Sequence, residues 1–589
     1  MQTATAPVPE PNPAGPDPAD RRGAGPEPAG RRRVRPVDLL VPLVYLLLAG
    51  WVLGNLWRAP GTDPAANTSD PGFFEWALIH ATRIFSHGEN PFLTPRLNAP
   101  YGVNLLANTG LLGLTVPLAP VTALFGPDVA FVLLLTLGLA GTATAWYWVL
   151  SRHVVGHRLA AAVGGGFAGF APGLVNHTNA HPNLVAQILL PLIVWRALTL
   201  RTIRHGIVLG LLVTWQAFIN EELLFLTALA LGVFVAGYAA QRSVRDRVRP
   251  FLVGLGTAAA VAAVLLAYPL WFQFFGPRSY HGLPDFVLGY GADLASYPAF
   301  PKLSLAHGAG TLSPQPEENT FFGGPLLIAL AVILVWLWRR VEVRAVALVG
   351  VVFAVLSPGA TAMYHGRPVL DPAPWHYLAG LPLFDSVLPI RLGLVVVPVV
   401  AVLLAFAVEA VTRLRIPYRA VGLVALAAVL VPLLPVPLPV QERPAVPVFF
   451  TSGAWKRYVS GDRSVVSADT TVWYGGITAM RWDNATGHGY RMVGGYFLGP
   501  DESGKGTYGA VPLPTAALLG AVAANGGVPE IGPGARTQAR LDVGTWQAAI
   551  IVLAPDAPHH DDLRTTLDQL IGPGEQVEDV VVWDVRSLG

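Results

Sequence analysis

The sequence predicts a polytopic α-helical membrane protein of about 11 spans, followed by a C-terminal extracytoplasmic α/β domain. Three observations predict it. Of 589 residues, 53% are hydrophobic and 13% charged, against about a quarter charged in soluble domains. The apolar residues gather in runs long enough to span a bilayer. The last 140 or so residues return to ordinary polarity, with short strand-like runs. The 39 Lys+Arg against 37 Asp+Glu give a net charge of +2, which excludes a nucleic-acid partner bound through global charge. Cysteine is absent, so disulfides, Fe–S clusters and thiolate zinc sites are excluded. Lysine occurs only at Lys302, Lys456 and Lys505. The Arg, Ala, Gly, Pro and Val bias suggests a GC-rich, bacterial coding sequence.

Residues 1–36 are Pro-, Ala-, Gly- and Arg-rich and predict a disordered cytoplasmic tail. The apolar run from Leu39 to Trp57 is too long for a signal-peptide core, and no clean Ala-x-Ala site follows. It therefore predicts a retained first span. Ten further runs lie near 128–150, 159–175, 183–199, 206–219, 222–240, 251–271, 323–338, 345–359, 392–411 and 419–438. Together they define a transmembrane domain over 37–438. The run 110–125 is short and carries two prolines, so it is a twelfth span or a re-entrant or interfacial helix. The Pro-rich segment 439–447 predicts a stiff linker. Beyond it, 448–589 holds strand-like runs at Ser464–Ser467, Ala548–Leu553 and Val580–Trp583, and a helical pattern at 561–571.

Arginine placement orients the chain. With a cytoplasmic N-terminus, the inner loops and tail carry 21 Arg, and the outer loops only seven Arg or Lys. The positive-inside rule then holds at each inner loop and puts the C-terminal domain outside. A full crossing at 110–125 would invert every later loop. This predicts a multi-pass protein of a bacterial plasma membrane.

Ionisable groups beside apolar spans are costly and suggest function. Asp70 follows Asn67-Thr-Ser and precedes a helical stretch, where it is a helix cap or a catalytic carboxylate. The helix 72–87 mixes Glu75, His80, Arg83 and His87 with aromatics, which suits a membrane interface. His177 and His181 stand four apart, a spacing that can bind metal, but Pro182 interrupts a helix and no Glu lies between them. Ligand hydrogen bonding or simple loop polarity are the alternatives. Glu221 and Glu222 sit at the turn between two spans, either functional or reaching to water. Glu317 and Glu318 precede an aromatic-Gly segment. Arg391 is a lone Arg at an outer span end. It suits a phosphate or an ion pair with Asp385 or Glu318. Gly164–Gly166 lacks phosphate-loop spacing and reads as helix packing.

These features resemble the GT-C superfamily of integral-membrane glycosyltransferases, in particular bacterial members using polyprenyl-phosphate sugars. The residues carrying the likeness are Ser69-Asp70-Pro71 and the amphipathic helix that follows. With them go Gly88-Glu-Asn-Pro91-Phe92 and Asn98-Ala-Pro100-Tyr-Gly-Val-Asn104. Leu124-Phe125-Gly126 before the second span, the Ser151–Ala160 turn and Pro389-Ile-Arg391 complete them. The resemblance covers roughly 38–400. It implies that Asp70 is the general base or positions the acceptor hydroxyl, and that Arg391 holds the donor phosphate. Members often carry a second acid in a later outer loop. Here His177, His181, Glu221 and Glu222 stand instead, so Glu221 and Glu222 join Asp70 as catalytic candidates. His80, Arg83, His177, His181, Glu317 and Glu318 are candidate substrate contacts.

The expected function is inverting transfer of a sugar from a polyprenyl-phosphate donor to an envelope acceptor on the outer face. The acceptor would be a glycan, glycolipid or protein, and membrane lipid surrounds the chain. No cofactor is expected, and the resemblance implies no divalent metal. A lipid-linked glycan flippase and a non-catalytic envelope-assembly scaffold are the alternatives. A flippase would show polar residues at the bilayer midplane and an inverted repeat. Neither is evident in the sequence.

Overall fold

The computed structural model describes residues 36–109, 111–241, 245–284, 287, 289–308, 312 and 318–588. The predicted tail, apart from Pro36, lies outside the described residues, as does Glu317. Each of the eleven apolar runs overlaps a helix. Among the described residues, six helices are long and apolar enough to cross a membrane: Leu112–Val154, Arg158–His177, Glu221–Ala239, Val248–Phe275, Pro389–Thr412 and Ile416–Leu433. Val37–Val52 and Gly324–Leu337 are apolar but shorter. The 183–199 run breaks into Pro182–Val185 and Leu190–Leu198. The segment 110–125 is helical from Leu112 and continues into the following run through a kink at Gly126 (φ 85°, ψ 166°). Glycine reaches that φ without a Cβ clash, and Pro127 then restarts the helix.

The helices pack through small residues. A Cβ on Gly165 would lie 2.8 Å from the Ala143 carbonyl, so Arg158–Phe170 and Leu112–Val149 touch backbone to backbone. At one end of the bundle, Asp38 accepts from Tyr147 (2.7 Å) and Arg158 (2.7 Å) and pairs with Arg152 (3.4 Å). The C-terminal domain covers the other end.

The C-terminal domain carries a five-stranded sheet. Its strands run in the order Glu575–Val577, Val580–Asp584, Ala548–Leu553, Ser464–Ser467 and Arg491–Met492. The first three are antiparallel neighbours and the last three parallel ones. The predicted strands and helix are therefore present, the helix as His560–Ile571. Both sheet faces are buried, which explains the unbroken apolar run Ala548–Leu553. Ile551, Val581 and Trp583 pack under the domain's own helices. Ile550, Val552, Val580 and Val582 point the other way, into a core continuous with the membrane helices. Period-two alternation produces this division.

Two expectations need correction. The helix Asp70–His87 does not lie at an interface with one face wet: every residue from Pro71 to Ala81 is buried. It is clasped between Leu112–Val149 and the helix Ile477–Ala485 of the C-terminal domain, where Asn484 Nδ2 donates to the Gly72 carbonyl (2.9 Å). The Pro-rich segment 439–447 is not a free spacer either. Val440–Gln441 pairs antiparallel with Asp63–Pro64, and Leu438 N–H donates to the Val52 carbonyl (2.7 Å).

Candidate active site

Five separate segments bring polar side chains to one cavity of about 1080 Å³ beneath the C-terminal domain. The first is Asn67–Asp70. Asn67 Oδ1 accepts from the N–H groups of Ser69 (3.1 Å) and Asp70 (3.2 Å), the Asx-turn habit of this residue. Pro71 then occupies the first turn of the helix, where its missing N–H is harmless. The turn fixes Asp70 at the helix start without making it a cap. Its Oδ2 instead accepts from Asn67 Nδ2 (2.8 Å) and lies 3.0 Å from His181 Nε2, and its Oδ1 accepts from Tyr496 Oη (2.6 Å). Asp70 keeps 17% of its side chain exposed, enough for a ligand atom to reach it.

The second segment follows the helix Pro172–His177. His181 N–H closes on the His177 carbonyl (2.8 Å), so the two rings meet with Nδ1 atoms 3.1 Å apart although Pro182 ends the turn. The third is Glu318–Thr320, tied to the second by Asn176 Nδ2 donating to the Asn319 carbonyl (3.1 Å). Thr320 sits between Gly173 and Gly393. A Cβ on either would lie 2.9 or 3.0 Å from Thr320 Oγ1, so both positions need glycine for this approach.

The fourth segment is the start of Glu221–Ala239, capped by Asn220 Oδ1 accepting from Leu223 N–H (2.7 Å). Glu222 stands in the first turn, where the helix dipole favours a carboxylate. The fifth is the short helix Pro389–Leu392. Arg391 forks onto Glu318 (Nη2 to Oε1 2.6 Å, Nε to Oε2 2.9 Å), and its Nη1 donates to Glu222 Oε2 (2.7 Å). The ion pair with Glu318 is thus formed, whereas Asp385 bonds Ser386. Three of the guanidinium's five N–H groups face carboxylates. One on each terminal nitrogen is left for a ligand.

Burial raises the Asp70 carboxyl, but hydrogen bonds from His181, Tyr496 and Asn67 outweigh it and hold it below the ordinary range. Burial lowers the His181 imidazole, and the Asp70 and Glu318 charges more than restore it. Burial likewise raises Glu318, and Arg391 overrides it, so that carboxyl stays ionised. The shifts hold the Asp70 and Glu318 carboxylates ionised beside the Arg391 guanidinium.

His177, His181 and Glu318 present ligand atoms within 4.8 Å of one another. His177 Nε2 is buried without a hydrogen-bond partner and lies 3.9 Å from Glu318 Oε2. An imidazole–carboxylate set suits a divalent transition ion, and the orphaned nitrogen fits one. The sequence offered the two histidines as one of several readings; Glu318 as their third member was not expected.

The structure thus gathers Asp70, His177, His181, Glu222, Glu318 and Arg391. Glu221 also lines the cavity but points to Gln273 Nε2 (2.9 Å), away from Arg391. His80 and Arg83 are not in the cavity. His80 stacks on Trp76 at 5.2 Å, and Arg83 bonds Glu89 Oε1 (2.8 Å) and the Gly487 carbonyl (3.1 Å). Neither reaches the cavity they were expected to serve: His80 also bonds the Asn90 carbonyl (3.1 Å) within the first loop, and Arg83 joins that loop to the C-terminal domain. Tyr496 and Asn67 carry no earlier expectation as partners of Asp70. An Asn three residues before an Asp was a signal for the second; no local signal pointed to the first.

No family model and no curated protein matches the sequence. Solved structures do. The chain is similar to the arabinofuranosyltransferase AftD from Mycobacteria at TM-score 0.55 and 16% identity, over 94% of this chain and 40% of that one. It also aligns with the Archaeoglobus fulgidus oligosaccharyltransferase at TM-score 0.49 and 14% identity, over 88% of this chain and 70% of that one. ArnT from Cupriavidus metallidurans aligns at TM-score 0.43 and 12% identity, over 94% and 98%. The chain has the GT-C fold of integral-membrane glycosyltransferases.

Proposed function

We propose that the protein is a membrane glycosyltransferase. It moves a sugar from a polyprenyl-phosphate donor to an envelope acceptor on the outer face, with inversion at the anomeric carbon. One observation carries this reading: a partly exposed, ionised Asp70 and a forked Arg391 face a single cavity with an apolar wall. Leu266, Leu270 and Phe274 on the helix Arg245–Phe275 supply that wall. An apolar wall beside a cation suits a lipid phosphate. A carboxylate across the same space suits proton removal from an attacking hydroxyl.

In this reading the acceptor hydroxyl attacks the anomeric carbon from the side opposite the phosphate. Its proton passes to Asp70, and the phosphate leaves with the bonding electron pair. The free N–H groups of Arg391 stabilise the charge that develops on the leaving oxygens. Glu222 and Glu318 hold the guanidinium in place by two-sided pairing. A divalent cation held by His177, His181 and Glu318 would supply further positive charge at the phosphate. One neighbour in fold, AftD, is by name an arabinofuranosyltransferase, so pentosyl donors belong in the test beside hexosyl ones.

The test is transfer by purified protein in nanodiscs from radiolabelled polyprenyl-phosphate sugars, with envelope glycan, glycolipid and peptide acceptors. We expect labelled product and an equal amount of released polyprenyl phosphate. Movement of intact donor across the bilayer, with no bond broken, would replace the enzyme with a flippase.

A further inference from the structure

Asp70 is built from the first loop, but one of its two oxygens is held from 426 positions away. Tyr496 Oη donates to Oδ1 at 2.6 Å. Burial, and then the Asp70 charge, push this hydroxyl up, so it stays protonated and donating. The contact is not a loose one. Tyr496 sits in a strap, 491–498, that the C-terminal domain lays along the first loop. Met492 N–H donates to the Arg96 carbonyl (2.8 Å), Ala99 N–H to the Met492 carbonyl (2.9 Å) and Asn98 N–H to the Gly494 carbonyl (2.9 Å). Beyond the tyrosine, Leu498 exchanges two bonds with the Asn108 side chain (2.7 and 2.8 Å). Gly495, at φ +116°, makes the bend that turns the ring toward Asp70. The ring then packs against Trp473 (5.5 Å) and Tyr508 (5.7 Å).

Lone-pair arithmetic gives this contact a consequence. A carboxylate oxygen offers about two acceptor sites. Oδ2 spends both, on Asn67 and His181. Oδ1 spends one, on Tyr496. The remaining site is on Oδ1, beside the tyrosine hydroxyl, which can itself accept a hydrogen bond.

We propose that Tyr496 is a positioning residue, supplied by the C-terminal domain, that aims the open lone pair of Asp70 Oδ1 at the acceptor hydroxyl. The inference rests on Asp70 being the base. In the transfer step the acceptor O–H bond breaks and its proton goes to Oδ1. A new bond forms between the acceptor's own oxygen and the anomeric carbon. The bond from the anomeric carbon to phosphate oxygen breaks, with its electron pair leaving on the phosphate. Tyr496 keeps its own proton throughout. The C-terminal domain is then part of the chemistry and not only of acceptor capture.

The experiment compares wild type, Tyr496→Phe, Asp70→Asn and the double variant, as full chains in nanodiscs with one donor and acceptor that wild type uses. Phe keeps the packing against Trp473 and Tyr508 and removes only the hydroxyl. We expect kcat to fall about 10- to 100-fold in Tyr496→Phe, the loss of one hydrogen bond to a charged group. Both KM values should stay within about twofold, with an unchanged thermal midpoint. In the Asp70→Asn background the same change should cost nothing further, because residues acting as a unit are non-additive. Unchanged kcat in Tyr496→Phe, a raised acceptor KM at constant kcat, or additive losses would each overturn the inference while leaving Asp70 as base. Wild-type kcat in Asp70→Asn would remove the base and the inference together. Should Tyr496→Phe lower the midpoint, kcat measured well below that midpoint, on protein shown folded by size-exclusion chromatography, must show the same loss for the inference to stand.

Discussion

The first loop contributes to two buried ionic clusters, and they differ in what they face. Asp70 belongs to the cavity: with Glu222, Glu318, Arg391 and His181 it forms an open array whose members keep up to 17% of their side chains exposed. Seven residues earlier, Asp63 belongs to a closed one. Arg443 donates to Asp63 Oδ1 (2.7 Å), Asp128 Oδ1 (2.7 Å) and Glu75 Oε1 (2.5 Å), and Arg481 donates to Asp63 Oδ2. Asp63 and Glu75 are almost wholly buried. Asp128 reaches solvent (40% of its side chain exposed), but none of these groups lines the cavity, and the cluster rivets the first loop, the Pro-rich segment and the C-terminal domain. A third group, Trp76 with His80, His488 and Asp483, is buried too and lies away from the cavity. Ionisable residues beside apolar spans are therefore not a single class. What separates function from scaffold is whether a charge still has an unspent contact facing a cavity.

Breaking each cluster should give opposite signatures. The largest effect on folding is expected from Arg443→Ala, which leaves buried Glu75 without its cation and takes from Asp63 one of its two arginines. Removing one partner of a buried pair costs about 3–5 kcal/mol, so the variant should lose most folded yield by size-exclusion chromatography. Recovery of a normally folded, normally active Arg443→Ala would erase the distinction between the clusters. Arg391→Lys is a milder break within the cavity. A lysine keeps the charge but cannot fork onto Glu318 while donating to Glu222. We expect kcat to drop about 10-fold or more, with the protein still folded, as read by turnover beside a melting curve.

A subtler contrast concerns pH. Burial pushes the Asp483 carboxyl up to about 8, against which the Trp76 hydrogen bond acts only in part. Its unfolded value is 3.8. Between these values the folded chain keeps the proton and the unfolded chain gives it up. Stability contributed by this group therefore falls as pH rises through that window. Asp483→Asn, neutral at every pH, should flatten the decline and raise the melting midpoint at pH 8 by a few degrees. An unchanged slope would show that Asp483 is ionised in the fold. The smallest effect is expected at Arg83. Arg83→Gln should leave both KM values within about twofold, since it touches Glu89 and Gly487 but not the cavity. A selective rise in acceptor KM would return Arg83 to the binding site.

The fold class was legible because bilayer physics writes it in long runs: each apolar run became helix, and the strands at 464–467, 548–553 and 580–584 follow their apolar composition. Span lengths were not legible. Breaks such as that between Val185 and Leu190 depend on packing, not hydropathy. Asp70, Glu222, Glu318 and Arg391 could be singled out because each is an ionisable residue at a span end. The pairing of Arg391 with Glu318 and Glu222 could not, because it joins residues 73 and 169 positions apart. Arg443 was hidden inside a proline-rich stretch whose composition resembles a spacer. Trp76 and His80 carried helical spacing that suited an interface, but the partner that buries them, Asp483 and His488, lies some 400 residues on.

The central claim is that Asp70 performs chemistry while the sealed clusters hold the fold. Its most direct test is kcat of Asp70→Asn at saturating donor and acceptor, measured beside the melting midpoint of the same preparation. The account predicts a fall of about 10²- to 10⁴-fold with the midpoint unmoved. Wild-type turnover in that variant, or a loss explained by unfolding, would contradict it.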